Sequence, residues 1–207
     1  MEKSRMKLEI EKSQKSEKRK SAKNKRDTIV ELTRAALMTA VLCVLAPFTI
    51  YLPFSPVGIT LGSLLLYLAG LLLGPKIGCI SIFLYLCMGF CGLPVFSGFV
   101  GGAGVLFGPT GGFLIGYVPC VALVGVIAKK TRKGKRTVLS FLAGMISGTI
   151  VLYTVGVLWF LFVYGGSASF SDAVAVCVVP FLLFDGIKIG LAAALYQPVV
   201  RLKKMVS

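Results

Sequence analysis

The sequence has 207 residues, of which 56% are hydrophobic, and a formal net charge of +15 with no histidine. An ordinary soluble domain is apolar to only about 45–50%, so the composition excludes one and indicates an integral membrane protein. The charge does not indicate nucleic acid, because eleven of the 23 Lys and Arg fall within residues 1–26 and the rest lie almost entirely in short connectors.

Taken in order, residues 1–28 are rich in Lys, Ser and Glu with few large apolar side chains. Such a segment cannot bury a core and is expected to be a disordered basic cytoplasmic tail, with its charge available to anionic membrane lipid. Residues 29–204 are expected to form a single six-helix membrane domain that binds a substrate. The first helix runs from about Ile29 to Phe48 and ends at Pro47, ahead of the uncharged connector Thr49 to Thr60. The apolar run Leu61 to Leu73 is a short second helix, and Gly74-Pro75-Lys76-Ile77-Gly78 reads as a tight turn before a third helix, about Gly78 to Phe90.

The segment Gly92 to Gly112 then carries Gly98, Gly101, Gly102, Gly104, Gly108 and Gly111 with Pro94 and Pro109, and no charge. Non-helical backbone at membrane depth is tolerated only where protein buries it or it lines a cavity, so an ordered lid is expected between helices three and four. A fourth helix, about Gly111 to Ala128, ends in Lys129 to Arg136, where six of eight residues are basic. The fifth runs from about Val138 to Tyr164, and the sixth from about Ala173 to Val200 before the closing Arg201 to Lys204.

Six helices place both termini on one side. The tail, Lys76, the basic octapeptide and the final basic segment then share that side, which the positive-inside rule makes the cytoplasm. The opposite loops, Thr49 to Thr60, Gly92 to Gly112 and Gly165 to Ser171, contain no Lys or Arg. The expected fold is therefore an all-α integral membrane protein of the cell membrane with six transmembrane helices, cytoplasmic termini and an extracellular glycine-rich loop.

After Glu31 the chain has only two acids, Asp172 and Asp185. Asp172 follows a turn-like stretch where a helix starts. Asp185 lies inside the apolar run Phe181 to Gly190, with Lys188 one helical turn away. An intramembrane ionisable residue costs roughly 2.5–3.5 kcal/mol on insertion scales and marks a functional site by default, although a mutually neutralising structural pair is the competing reading. A carboxylate acceptor beside an ammonium donor suits a small polar ligand, and Phe181, Phe184, Trp159, Tyr153, Tyr164, Phe96 and Phe99 are aromatic candidates around it. Ala36 and Ala40 give the first helix a small-xxx-small spacing that lets another helix approach. The six cysteines (Cys43, Cys79, Cys87, Cys91, Cys120, Cys177) are scattered through apolar segments. With no histidine, metal and cofactor chemistry are not expected. No G-x-x-x-x-G-K-[ST] motif for ATP is present, and no enzyme is indicated.

The run Gly92-Leu93-Pro94-Val95-Phe96-Ser97-Gly98, the loop from Gly101 through Gly108-Pro109-Thr110-Gly111-Gly112, and Pro180-Phe181-Leu182-Leu183-Phe184-Asp185-Gly186-Ile187-Lys188 closely resemble the BioY family. These are the biotin-binding S components of energy-coupling-factor transporters. The similarity extends over roughly residues 30–204, including the Leu-Leu-Leu-Gly-Pro-Lys turn at 71–76. The resemblance implies high-affinity binding of biotin from outside and docking through Ala36 and Ala40 onto a transmembrane coupling protein driven by two ABC ATPases. It assigns Asp185 to the ureido N–H groups and Lys188 to the valerate carboxylate, with Phe96 and Phe184 among the ligand contacts and the backbone N–H groups of Gly101 and Gly102 standing in for a loop amide. Phe113 stands where many relatives have Tyr. The alternatives are an S component for a different small vitamin, and a proton-coupled secondary transporter using Asp185.

Overall fold

The computed structural model describes residues 2–50, 58–132, 138–164 and 170–206. The middle of the first connector, the end of the basic octapeptide and most of the loop before the last helices therefore lie outside the described residues. The chain divides into two compact units, residues 1–34 and 35–207. Helix α1 spans Glu2–Leu45, β1 Thr49–Ile50, β2 Ile59–Thr60, α2 Gly62–Phe90, α3 Ala103–Leu106, α4 Gly111–Arg132, α5 Val138–Tyr164, α6 Phe170–Cys177 and α7 Val179–Val206. Among the described residues five helices are long and apolar enough to cross a membrane: Asn24–Leu45 within α1, all of α2, and most of α4, α5 and α7.

Four features differ from the sequence expectation. Residues 2–28 of the segment expected to be disordered are helical as the first part of α1. Lys and Glu are good helix formers, so backbone propensity survives even where no core can be built. The connector 49–60 pairs its two ends as a short antiparallel ladder, Thr49 with Thr60 and Ile50 with Ile59. The single last helix is split into α6 and α7. Pro180 has no N–H to donate and disfavours helical backbone at the residue before it, so the N–H groups of Phe181 and Leu182 both turn back to the Val178 carbonyl at 3.0 and 3.1 Å.

The fourth difference is the join between the second and third expected helices. Helical structure resumes at once after one residue, Gly74, with φ 81° and ψ −178°. Pro75 follows it, at a first helical position where a missing N–H costs nothing. Residues 69 and 78 would stand roughly 13 Å apart along an unbroken helix. Yet a Cβ built on Gly78 lies 3.3 Å from the Ala69 carbonyl oxygen. The two arms of α2 therefore fold back on each other at Gly74, a left-handed φ that an L side chain rarely adopts.

Within residues 35–207, α4 is the central element and packs against both α2 and α5. Its Cys120, Val121, Val124 and Ala128 are buried with Leu66, Leu71 and Ile82 of α2 and Met145 and Leu152 of α5. Hydroxyls inside the helices are satisfied by the preceding turn: Ser81 donates to the Ile77 carbonyl, Thr149 to Met145 and Thr154 to Ile150, each at 2.8–2.9 Å. This is the solution available to a polar group in hydrocarbon. On the outside, Leu37, Phe83, Ile150, Leu158, Phe162 and Leu183 are exposed, a large apolar surface that suits lipid and not water.

The reversal of α2 fits against α4 at Gly125, where any Cβ would strike the Gly74–Pro75 backbone. Gly125→Val is expected to lower stability by about 1–3 kcal/mol through overpacking, read as the denaturation midpoint of the detergent-solubilised chain. Gly190→Ala on α7, where a Cβ meets nothing within 4 Å, is expected to leave the midpoint unchanged or raise it slightly, since Ala is the better helix former.

Candidate binding site

Asp185 and Lys188 lie one turn apart on α7. Lys188 Nζ donates to Asp185 Oδ1 at 3.0 Å and to Ser63 Oγ, in the first turn of α2, at 2.9 Å. Ser63 donates in turn to Asp185 Oδ1 at 3.1 Å. The Tyr153 hydroxyl, from α5, donates to the other oxygen, Oδ2. Three helices thus converge on one carboxylate, which is only 5% exposed. A buried charge of this kind persists only where it is paired and its remaining lone pairs are hydrogen-bonded.

Beside this clasp lies a cavity of about 300 Å³, at the small end of the range for ligand sites. Ser63, Tyr153, Asp185 and Lys188 form its polar corner, with Thr60 and Tyr117 near them, while Phe113, Leu114, Leu152 and Phe181 supply apolar wall. Val100, Gly104, Val105, Gly108, Pro109 and Thr110 of the glycine-rich segment line it as well. A second buried pair, Tyr67 and Thr149, stands 2.6 Å apart. Thr149 already gives its proton to the Met145 carbonyl, so Tyr67 is the donor.

The glycine-rich segment is held by hydrogen bonds at several points. Gly98 N–H donates to the Pro47 carbonyl (2.9 Å) and Gly102 N–H to the Gly89 carbonyl (2.7 Å). Trp159 Nε1 of α5 donates to the Gly108 carbonyl at 3.0 Å, and the Tyr85 hydroxyl to the Val95 carbonyl at 3.0 Å. Every one of these ties a loop backbone group to a membrane helix or its end.

Of the residues singled out from sequence, Asp185, Lys188, Phe181 and Tyr153 meet at the cavity. Phe96, Phe184, Gly101 and Gly102, expected as ligand contacts, are not among the residues that line it. Phe96 is buried against the end of α2, edge-on to Tyr85 with ring centroids 5.6 Å apart, and closes over Gly89. Phe184 is on the exposed side of α7, since adjacent helical residues diverge by about 100°. Gly101 is a close backbone approach, where a Cβ would meet the Leu93 carbonyl. Gly102 has φ 99° and its N–H is already bonded to Gly89. Phe99, in a left-handed conformation at φ 59°, stacks edge-on to Phe48 with centroids 5.3 Å apart. The Tyr164 side chain lies outside the described residues. The charged atoms of Asp185 and Lys188, expected to serve opposite ends of a ligand, are 3.0 Å apart.

Ser63 and Thr60 were not singled out from sequence. Ser63 left a signal, being the only Ser or Thr in the apolar run Leu61 to Leu73; Thr60, at the end of a connector, left none. Among the described residues no group of three His, Cys, Asp or Glu could hold a metal ion.

Comparison with known proteins bears on this site directly. Residues 15–205 match the BioY family. The chain belongs to the BioY family. It is 36% identical to the protein named biotin transporter BioY of Thermotoga maritima, over 84% of this chain and 96% of that one. It is also 36% identical to the biotin transporter BioY of Rhizobium etli, over 84% and 93% of the two chains. A crystal structure at 2.1 Å of the S-component for biotin from an ECF-type ABC transporter superposes with a TM-score of 0.77 at 30% identity, covering 85% of this chain and 93% of that one. Like these relatives, this BioY chain is a multi-pass membrane protein, and it is not an enzyme.

Removing one partner of the buried pair leaves the other uncompensated. Lys188→Met is therefore expected to destabilise the protein by about 3–5 kcal/mol. In Asp185→Asn combined with Lys188→Met, part of that loss is expected to return, giving a coupling energy of at least about 1 kcal/mol in a double-mutant cycle of detergent unfolding midpoints. Additive losses would show that the two side chains are not energetically paired.

Proposed function

We propose that this BioY chain is the biotin-binding S component of an energy-coupling-factor importer. It takes biotin from outside the cell and delivers it with a transmembrane coupling protein and two ABC-type ATPases. The observation that carries this reading is the Asp185–Lys188 clasp opening into a small, mainly apolar cavity in a chain of this family. Biotin has a cyclic urea at one end and a carboxylate at the other, separated by the fused rings and a four-methylene chain. Asp185 and Lys188 together address the urea end: the carboxylate accepts a ureido N–H, and the ammonium donates to the neighbouring carbonyl oxygen. The thiophane ring and alkyl chain then lie against Phe113, Leu114, Leu152 and Phe181, with the glycine-rich segment as lid.

The topology that goes with this function has six crossings, because α2 reverses at Gly74 and so contributes two. Both termini, exposed Lys76 at the α2 reversal and the basic connector after α4 are cytoplasmic, and the lid faces outward. The basic residues within 1–26 add attraction to anionic lipid headgroups, worth about 1 kcal/mol for each Lys or Arg near the surface. Ala36 and Ala40 are exposed on α1 while Ala35 beside them is fully buried, which supports the small-residue face as the docking surface for the coupling protein.

Calorimetric titration of biotin into the detergent-purified chain is expected to show tight binding. Asp185→Asn and Lys188→Met are each expected to weaken it by at least tenfold, about 1.4 kcal/mol; a folded, monodisperse wild type that gives no heat with biotin overturns the ligand assignment. Ala40→Trp is expected to bind biotin as the wild type does but to lose more than nine-tenths of uptake in cells that supply the coupling module. Undiminished uptake by this variant would remove α1 from the docking surface.

A further inference from the structure

The hydrogen bonds around Asp185 count out what a ligand can add. A carboxylate has about four acceptor places, two on each oxygen. Oδ1 already receives Lys188 Nζ and Ser63 Oγ, which fills it, and Oδ2 receives Tyr153. Among the described residues, one acceptor place therefore remains, on Oδ2. Lys188 uses two of its three protons, on Asp185 and on Ser63, so one donor remains. The free valences of the two charged groups are thus a single acceptor and a single donor. That pair is complementary to an edge carrying one N–H next to one C=O, as a cyclic urea or lactam presents. It does not complement an edge carrying two N–H donors.

We propose that Ser63 and Tyr153 are specificity-determining residues of this site. Each occupies an acceptor place on Asp185 that a second ligand N–H would otherwise take, so that the carboxylate reads one donor and Lys188 reads the adjacent carbonyl. This rests on the biotin reading above and extends it from the charged pair to the two hydroxyls. Neither hydroxyl has to touch the ligand to act: each works by limiting what Asp185 can still accept. A site whose own polar groups are left unmatched by the wrong ligand discriminates strongly, and here the mismatch is a surplus ligand donor with no acceptor facing Lys188.

The two substitutions that remove these donors differ in where they free a place. Tyr153→Phe opens a second place on the same oxygen, Oδ2. Ser63→Ala opens one on Oδ1, so that both oxygens can each accept one N–H, the arrangement a planar two-donor cation uses in a bidentate pair. Tyr153→Phe leaves the hydrogen bonds of Lys188 as they are, whereas Ser63→Ala also removes one of its acceptors and frees a second donor; the charge on Lys188, and so its repulsion of a cationic ligand, is common to all three proteins.

The test measures binding of biotin and of 2-iminobiotin, in which a protonated imine replaces the urea carbonyl, to the full-length wild type, Tyr153→Phe and Ser63→Ala, with unfolding midpoints recorded alongside. The affinity for the imino analogue relative to biotin is expected to rise at least tenfold in Tyr153→Phe, and less in Ser63→Ala, where the Lys188 donor released from Ser63 favours the biotin carbonyl. A purely structural role lowers both affinities together and leaves the ratio unmoved. An unchanged ratio in folded variants, with biotin still bound by the wild type, overturns this proposal alone, whereas a folded wild type that binds no biotin overturns the function on which it rests.

Discussion

Everything in the membrane-embedded part of this protein has to accommodate one buried carboxylate. Asp185 sits in an apolar helix and is almost inaccessible, where an unpaired charge costs far more than any single packing contact returns. Its partners cannot all come from its own helix. Lys188 is one turn away, but Ser63 comes from α2 and Tyr153 from α5, so the electrostatic requirement fixes the relative positions of three helices. The close packing of α4 between α2 and α5 maintains that arrangement, and the cavity is the space left beside the clasp once the donors are in place.

The glycine-rich segment meets the same requirement in backbone form. Its chain is largely non-helical beside a membrane domain, so its N–H and C=O groups need partners that neither a helix nor bulk lipid provides. It finds them on helix ends and on side chains of neighbouring helices: Gly102 on Gly89, Gly98 on Pro47, and the Gly108 carbonyl on the Trp159 indole. At Gly101, Gly108, Gly111 and Gly112 the backbone comes so near its neighbours that a Cβ would collide, as at Leu93 for Gly101 and Trp159 for Gly112, and Gly92, Gly98 and Gly102 take a positive φ. Close approach and left-handed backbone together account for most of that composition.

These two requirements differ in how plainly they are written in the sequence. An acid and a base in an apolar run are visible without a structure, because nothing local explains them. The family resemblance and the cavity-lining role of the glycine-rich segment were legible for a similar reason, since charge-free glycine and proline at that density have few other uses in a membrane protein. Ser63 and Tyr153 were not legible as partners of Asp185, because a hydroxyl in a membrane helix can satisfy itself on the preceding turn, as Thr154 does, and sequence does not say which ones reach across. The break at Val178 was written in Pro180 but competed with an otherwise continuous apolar run. That the Gly102 N–H is bonded to the Gly89 carbonyl was not legible either, because sequence shows which backbone groups could be free and not which are already bonded.

A clasp shared among three helices also bears on release. Under the proposed function, release of the ligand takes a conformational change, and a partner can shift that equilibrium only by its differential affinity for the two states. The contacts of α1 give such a partner purchase. The Thr39 hydroxyl lies within 3.0 Å of the Ser81 carbonyl on α2, and the Pro47 carbonyl beyond the end of α1 accepts the Gly98 N–H of the lid. With the Ala36 and Ala40 face as the proposed docking surface, these contacts link it to the second arm of α2 and to the lid segment that carries Val100. Because Ser63 bridges the acid and the base, a displacement of α2 by one hydrogen-bond length relative to α7 breaks two bonds of the clasp together. The geometry that reads the ligand is then the same geometry that a small helix movement disrupts.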